Sequence, residues 1–214
     1  MFSFFGKKNK NGTRTLTSAN DLQVGDIIVF KDTLHLPESI RGQSVEVVQV
    51  GAYEFESGFE ASFALKTVSG EAYFLSSEND DGETILTLSR QIQREVVEAI
   101  FDLGEIGNVL DEGFSSLKSL DSTPAEYDEW VASEYHENAD CVQCYYHKTD
   151  KRGQTPAQYS DGSFDGEELN YYECTSVNGD YGVAIEVYKT GDTDISLFKC
   201  FDESVIEDLL PNAG

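Results

Sequence analysis

Cys141-Val142-Gln143-Cys144, followed by His147, comes nearest to a chemical site by residue type and spacing. Two thiols and an imidazole so placed are the raw material of a zinc centre or a dithiol couple. Zinc needs about four converging ligands, commonly on tight turns. Here the spacing falls inside an apparent strand, 139–147, where residues three apart point to opposite faces. No second CxxC pair exists, and only Cys174, Cys200, His35 and His136 remain as further soft ligands. A thioredoxin-type dithiol belongs at a helix start in a βαβ setting, which is missing here. The cysteines therefore read as small apolar side chains, with Cys141, Cys144 and His147 kept as metal candidates.

Asp161-Gly162-Ser163-Phe164-Asp165-Gly166 partly matches a calcium loop. The position needing a bidentate Glu falls on Tyr172, and Glu173 comes one residue late. An acidic surface loop is the better reading, with Asp161 and Asp165 kept as candidates. Three histidines are too few and too scattered for a nucleophilic triad to be named, and the chain has no G-x-S-x-G elbow or H-E-x-x-H. No catalytic residue and no cofactor is expected. Trp130, the only tryptophan, reads as a core anchor.

The most distinctive segment is the start: Phe2, Phe4 and Phe5 form an aromatic tip, and Lys7, Lys8 and Lys10 a basic collar. Such a segment touches an anionic membrane surface or docks in a partner's groove. Each lysine near anionic lipid contributes about 1 kcal/mol. Each inserted phenylalanine adds about 1.5–3 kcal/mol before ordering costs, which suits weak, reversible attachment. The apolar part is too short for a secretory signal and its lysines follow it, so a cytoplasmic location with reduced thiols is expected, peripheral to the inner membrane where the tail attaches.

Charge narrows the partners. The 214 residues carry 15 Lys+Arg against 40 Asp+Glu, a formal −25. Four of the basic residues lie within 1–14, leaving 11 basic and 40 acidic residues beyond. A nucleic-acid binder needs the opposite sign to neutralise phosphates, so direct nucleic-acid binding is excluded as the expected role. No apolar run approaches the ~20 residues of a membrane span. At 39% hydrophobic, the chain has enough apolar residues for a real core.

The elements read as α+β, mostly antiparallel β with short helices. Ile27-Ile28-Val29-Phe30 is a buried-strand run, and 44–50 is a second strand. Phe63-Ala64-Leu65 and Tyr73-Phe74-Leu75 flank a Ser69-Gly70 hairpin turn. After a turn at 79–82 and a strand over 84–88, a helix is expected from Ser89 as N-cap. It would carry Ile92, Val96 and Ile100 on one stripe and be closed by Gly104 and Gly107. In the second half Tyr181, Val183, Ile185 and Val187 share a strand face, 195–200 is a strand, and Asp202 caps a short helix carrying Val205, Ile206, Leu209 and Leu210.

The halves align without a gap at an offset of 109. Over 68–101 there are seven identities, among them Gly70 with Gly179 and Gly82 with Gly191. About two are expected from average residue usage. This reads as internal duplication of a hairpin-plus-helix unit: a tail at 1–14, a first α+β unit at 15–107 and a second at 108–214.

Leu22-Gln23-Val24-Gly25-Asp26, the basic-aromatic start and the 181–188 strand resemble small bacterial proteins of the YjfK-like group. Their genes tend to sit near those for phage-shock-protein-A-type membrane-stress proteins. The matching segments cover about a quarter of the chain, and the group has no established activity. The resemblance therefore implies an accessory role in envelope stress and carries over no catalytic residue.

The sequence thus leads to a non-enzymatic, acidic, cytoplasmic interaction protein docking a protein partner or the inner membrane through Phe2 to Lys10. The alternatives are an acidic nucleic-acid mimic that inhibits a basic protein, and a hydrolase or metal-binding protein. Edge strands leave pairing into a homodimer open. Deleting residues 1–10 is expected to abolish docking and leave the fold intact. A pull-down from the native lysate at low and high salt checks this, and retained binding by the truncated chain contradicts it.

Overall fold

Strands whose two faces differ in polarity must turn one face to the core, and that alternation governs the architecture. The computed structural model describes residues 14–80, 83–111, 113–156 and 165–212. The strands are β1 (Ile27–Phe30), β2 (Ser44–Phe55), β3 (Gly58–Thr67), β4 (Ala72–Asp80), β5 (Glu83–Ile92) and β6 (Ser116–Lys118). The second half adds β7 (Glu134–His147), β8 (Glu167–Ser176), β9 (Tyr181–Tyr188), β10 (Thr193–Asp202) and β11 (Ile206–Leu210). Two short helices, α1 (Arg94–Ile100) and α2 (Leu103–Leu110), connect β5 to β6. Among the described residues no helix is long and apolar enough to cross a membrane. The chain is α+β, mostly antiparallel strands with a few short helices.

All strands belong to one sheet in the order β11-β1-β2-β3-β4-β5-β10-β9-β8-β7-β6. An additional β2–β7 pairing closes eight of them, β2-β3-β4-β5-β10-β9-β8-β7, into a ring. Strands from both halves of the sequence therefore share one barrel. β5 and β10 pair over eight residues, from Ile92↔Ile195 to Ile85↔Asp202. The β2–β7 seam has only Ala52↔His147, Tyr53↔Tyr146 and Glu54↔Tyr145. Farther along the same edges β1 takes over from β7 on β2, and β6 from β2 on β7.

The apolar face points outward. Phe63, Leu65, Tyr73, Leu75, Leu86 and Leu88 alternate along β3, β4 and β5 and are fully buried beneath an outer layer. In that layer Trp130 stacks on Tyr73 at 5.8 Å, and Val97 and Ile100 of α1 join the same cluster. Leu36 and Ile40 of the loop after β1 are also in it. Trp130, 1% exposed, is a core anchor as expected.

Three local expectations differ. Ser89 lies within β5, and α1 begins after Gln93. Strand pairing of Ser89 with both Phe74 and Phe198 outweighs its capping preference. Gly104 and Gly107 do not close that helix. The chain breaks at Phe101, and Asp102 caps α2 by accepting from Gly104 N (2.7 Å) and Glu105 N (3.3 Å). After Asp202, which caps a single 3-10 turn at Glu203–Val205, residues Ile206–Leu210 form β11 rather than a helix. A five-residue helix is too short to stand alone, whereas the free edge of β1 offers ladder partners from Ile27↔Leu210 onward.

Two buried polar knots hold the closure. Asp26, fully buried, pairs with Arg14 and accepts from the backbone N–H groups of Gln23 (2.7 Å) and Asn212 (2.8 Å), joining the first and last of the described segments. Gly25 beside it has φ +88, and a Cβ there would meet the Asn212 side chain at 2.2 Å. At the seam, His147 Nε2 lies 2.7 Å from Glu54 Oε2, both side chains at most 2% exposed. His147→Ala removes that bond and the edge contact of Phe59 with the imidazole (5.7 Å). It is expected to cost about 3 kcal/mol. His147→Gln, which retains a donor, should cost less. Urea denaturation measures both, and an unchanged midpoint for the alanine variant contradicts the seam's role.

Candidate functional site: the barrel lumen

The inward face of the ring surrounds a cavity of about 1190 Å³. Tyr53 of β2, Glu60 of β3, Phe74 of β4 and Ser89 of β5 line one side. Ser196 of β10, Glu186 of β9, Tyr171 of β8 and Tyr146 of β7 line the other. All eight ring strands thus contribute. Tyr53 donates to Glu186 Oε1 at 2.5 Å across the space, although β7 and β8 separate their strands in the ring. That contact identifies the lining as the inner face. Small eight-stranded barrels fill their interior with side chains or hold one small ligand. This one surrounds an open space, its inward positions mixing carboxylates and hydroxyls with aromatic rings such as Phe55, Phe74 and Phe198.

The lining is built from tyrosine–carboxylate pairs. Glu186 accepts from Tyr53 at one oxygen and from Tyr188 at the other (2.6 Å). Glu173 accepts from Tyr171 (2.6 Å) and from Asn138 Nδ2 (2.8 Å). The Tyr53 and Tyr146 rings lie 5.0 Å apart, and Phe55 meets Tyr171 edge-on at 6.1 Å. Gly182 makes room for Phe198, since a Cβ there would come within 1.9 Å of the ring. Ser62, only 7% exposed, also lines the cavity, and its hydroxyl has no hydrogen-bond partner among the described residues.

Burial and crowding set the electrostatics. The Glu186 carboxyl is raised above its ordinary range by desolvation. Hydrogen bonds from Tyr188 and Tyr53 offset part of this, and Asp194 adds to it. Glu60 is raised by desolvation and by the nearby charges of Glu78 and Glu173. It is both solvent-reached and walled by protein, as a group facing a cavity must be. Tyr53 and Tyr171 are held well above the usual phenol range, first by desolvation and then by the carboxylates they serve. Burial pushes the Cys144 thiol up to about 12, with Glu186 and Glu60 adding to it, so this cysteine stays a neutral thiol.

The sequence candidates fall elsewhere. Cys141 and Cys144 do not converge. Cys141 is exposed at an irregularity of β7, with φ +49 and a register shift between Ala139 and Val142, whereas Cys144 is buried. His147 faces outward in the seam, its Nδ1 3.2 Å from Asp165 Oδ1. Asp165 also holds Lys151 at 2.9 Å, and the pair keeps it below its ordinary range. His136 is exposed beside Ser116 (3.1 Å), and His35 lies in an exposed loop. No group of three or more His, Cys, Asp or Glu able to hold a metal occurs among the described residues. Asp161 lies outside the described residues, as do Phe2, Phe4, Phe5, Lys7, Lys8 and Lys10.

The lumenal residues escaped the sequence reading because a half-buried strand with a polar face ordinarily turns that face to solvent. The available signal was the Tyr–Glu spacing of two, in Tyr171/Glu173 and Glu186/Tyr188, which places ring and carboxylate side by side on one strand face.

A folded-state rise in a carboxyl pKa favours the fold in acid and opposes it once pH climbs through the raised value. Glu186→Gln keeps an acceptor for Tyr53 and removes that opposition. The variant is expected to melt above the parent at pH 7, with the gap closing toward about pH 4, below the ordinary Glu value. Thermal melts across this range measure it, and a gap of constant size or opposite sign contradicts it.

No protein-family model matches the chain, no curated protein matches it, and no solved structure matches it.

Proposed function

We propose that the chain is a small-molecule-binding barrel, a carrier or sensor whose ligand occupies the lumen. The observation that carries this reading is the 1190 Å³ cavity lined by all eight ring strands. Its volume is at or above the upper end of the range of drug-sized ligand pockets. An interior of hydroxyls, rings and carboxylates recognises a ligand by hydrogen bonds and ring contacts, whereas an apolar filling would serve only stability. The accessory role expected from the sequence is kept. The tail, Phe2 to Lys10, lies outside the described residues and keeps its proposed docking role, and the lumen adds a second place of recognition.

We also propose that the lumen arose by duplication. The 109-residue offset carries β3, 58–67, onto β8, 167–176, with both ends in register. It carries the turn in which Gly70 N donates to Thr67 O (3.0 Å) onto the turn in which Gly179 N donates to Ser176 O (2.8 Å). First strands pair with each other, β2 with β7, and last strands likewise, β5 with β10, as expected of two similar units closing head to head.

Titration with benzylamine, benzoate and benzyl alcohol, followed by amide NMR shifts, tests lumenal binding across three ligand charges. At least one probe is expected to shift β3 and β9 signals together, and Ala184→Phe, which fills the lumen, should suppress the shifts. No lumenal shift with any probe would overturn the reading.

A further inference from the structure

We propose that the lumenal ligand is a polyamine, an extended chain of ammonium groups and methylenes. This rests on the lumenal-binding reading above. The first argument is charge. The residues lining the cavity include eight carboxylates and two lysines. Both lysines are already engaged, Lys148 with Glu167 at 2.6 Å and Lys189 with Glu168 at 2.6 Å. An anionic ligand would enter against the remaining negative charge, while an oligocation neutralises it.

The second argument is distribution. Glu60 on β3, Glu78 on β4, Glu173 on β8, Glu186 on β9 and Asp194 on β10 all line the cavity, so the carboxylates are spread around the lumen, with Glu78 and Glu173 near enough to raise Glu60 and Asp194 to raise Glu186. They do not gather into a set able to hold one metal ion. Separated carboxylates match separated ammonium groups.

The third argument lies between the charges. The Tyr53–Tyr146 and Phe55–Tyr171 ring pairs offer apolar walls to methylenes and negative ring faces to ammonium groups. The Ser62 hydroxyl lines the cavity and makes no hydrogen bond among the described residues, so it can accept from an N–H donor there. Glu60 makes no side-chain hydrogen bond among the described residues, and each Glu186 oxygen retains a second lone pair beyond its tyrosine bond. Acceptors for N–H donors are therefore available at both Glu60 and Glu186. An ammonium partner would favour the ionised carboxylates and so offset the rise that desolvation causes in both groups.

The test must separate lumenal binding from condensation on a −25 surface. Spermidine is titrated into the full chain by calorimetry at about 0.15 M salt, where long-range attraction to exposed charges is screened. Three proteins are compared: the parent, the lumenal double variant Glu60→Gln/Glu186→Gln, and the surface double variant Glu126→Gln/Asp128→Asn, whose residues are exposed. One spermidine per chain is expected. Affinity should fall at least ~10-fold in the lumenal variant, as loss of charge-assisted bonds requires, and hold within ~2-fold in the surface variant. Circular dichroism confirms that the isosteric lumenal variant is folded. Equal losses in both variants, or none in either, would mean surface condensation and overturn the proposal. Absence of spermidine binding while benzoate or benzyl alcohol shifts lumenal NMR signals overturns the polyamine and leaves the lumenal reading standing. If no probe enters, both fall.

Discussion

The β2–β7 seam is the contact on which the rest depends. Three residue pairs close a ring that is joined opposite by eight. Without the seam the same strands make an open sheet, and the inward face becomes an ordinary solvent face. The seam is reinforced from outside by Glu54 and His147, on neighbouring strands, and by Asp165 next in line. Inside, the tilted ring contact between Tyr53 and Tyr146 backs the same residues that pair across the ladder. Bulges bracket the closure. β2 slips between Val47 and Gln49, and β7 between Glu137 and Val142, and such irregularities add the local bend that closing a barrel needs.

Closure then imposes a division of labour between the faces. The outer face supplies the stability, because loops, helices and the 3-10 turn bearing Trp130 cover it and remove its apolar area from water. The inner face works against stability, since it gathers carboxylates whose desolvation and mutual repulsion raise Glu60 and Glu186. Tyrosine hydroxyls hold Glu186 and Glu173 in place without neutralising them.

Much of the local structure was legible. The Ser69-Gly70, Asn178-Gly179 and Thr190-Gly191 turns fall where glycine permits positive φ. The Tyr181, Val183, Ile185, Val187 face packs outward as its period of two requires. The irregularity at Cys141, where φ is +49 and the register of β7 shifts, was not legible, and it interrupts the strand alternation assumed for Cys141 and Cys144. Tertiary pairing hid the rest. Ile206, Leu209 and Leu210 carry an apolar pattern that suits a helix or a strand, and only the free edge of β1 decides between them. Gly25-Asp26 stood out as a motif whose purpose needed the fold, because its partners Arg14 and Asn212 lie almost 200 residues apart in the sequence. The lumen was the least legible feature. Nothing in Glu186 and Tyr188 distinguishes an inward polar face from an outward one until β2 meets β7.

The most direct measurement is therefore of closure itself. Cross-strand nuclear Overhauser effects between the backbones of Tyr53 and Tyr146, together with contacts from the Tyr53 ring to the Glu186 side chain, report the seam and the lumen at once. A closed ring with its polar face inward gives both sets. Strong β5–β10 contacts with neither set would mean an open sheet whose tyrosines and carboxylates face solvent, and the lumen would not exist.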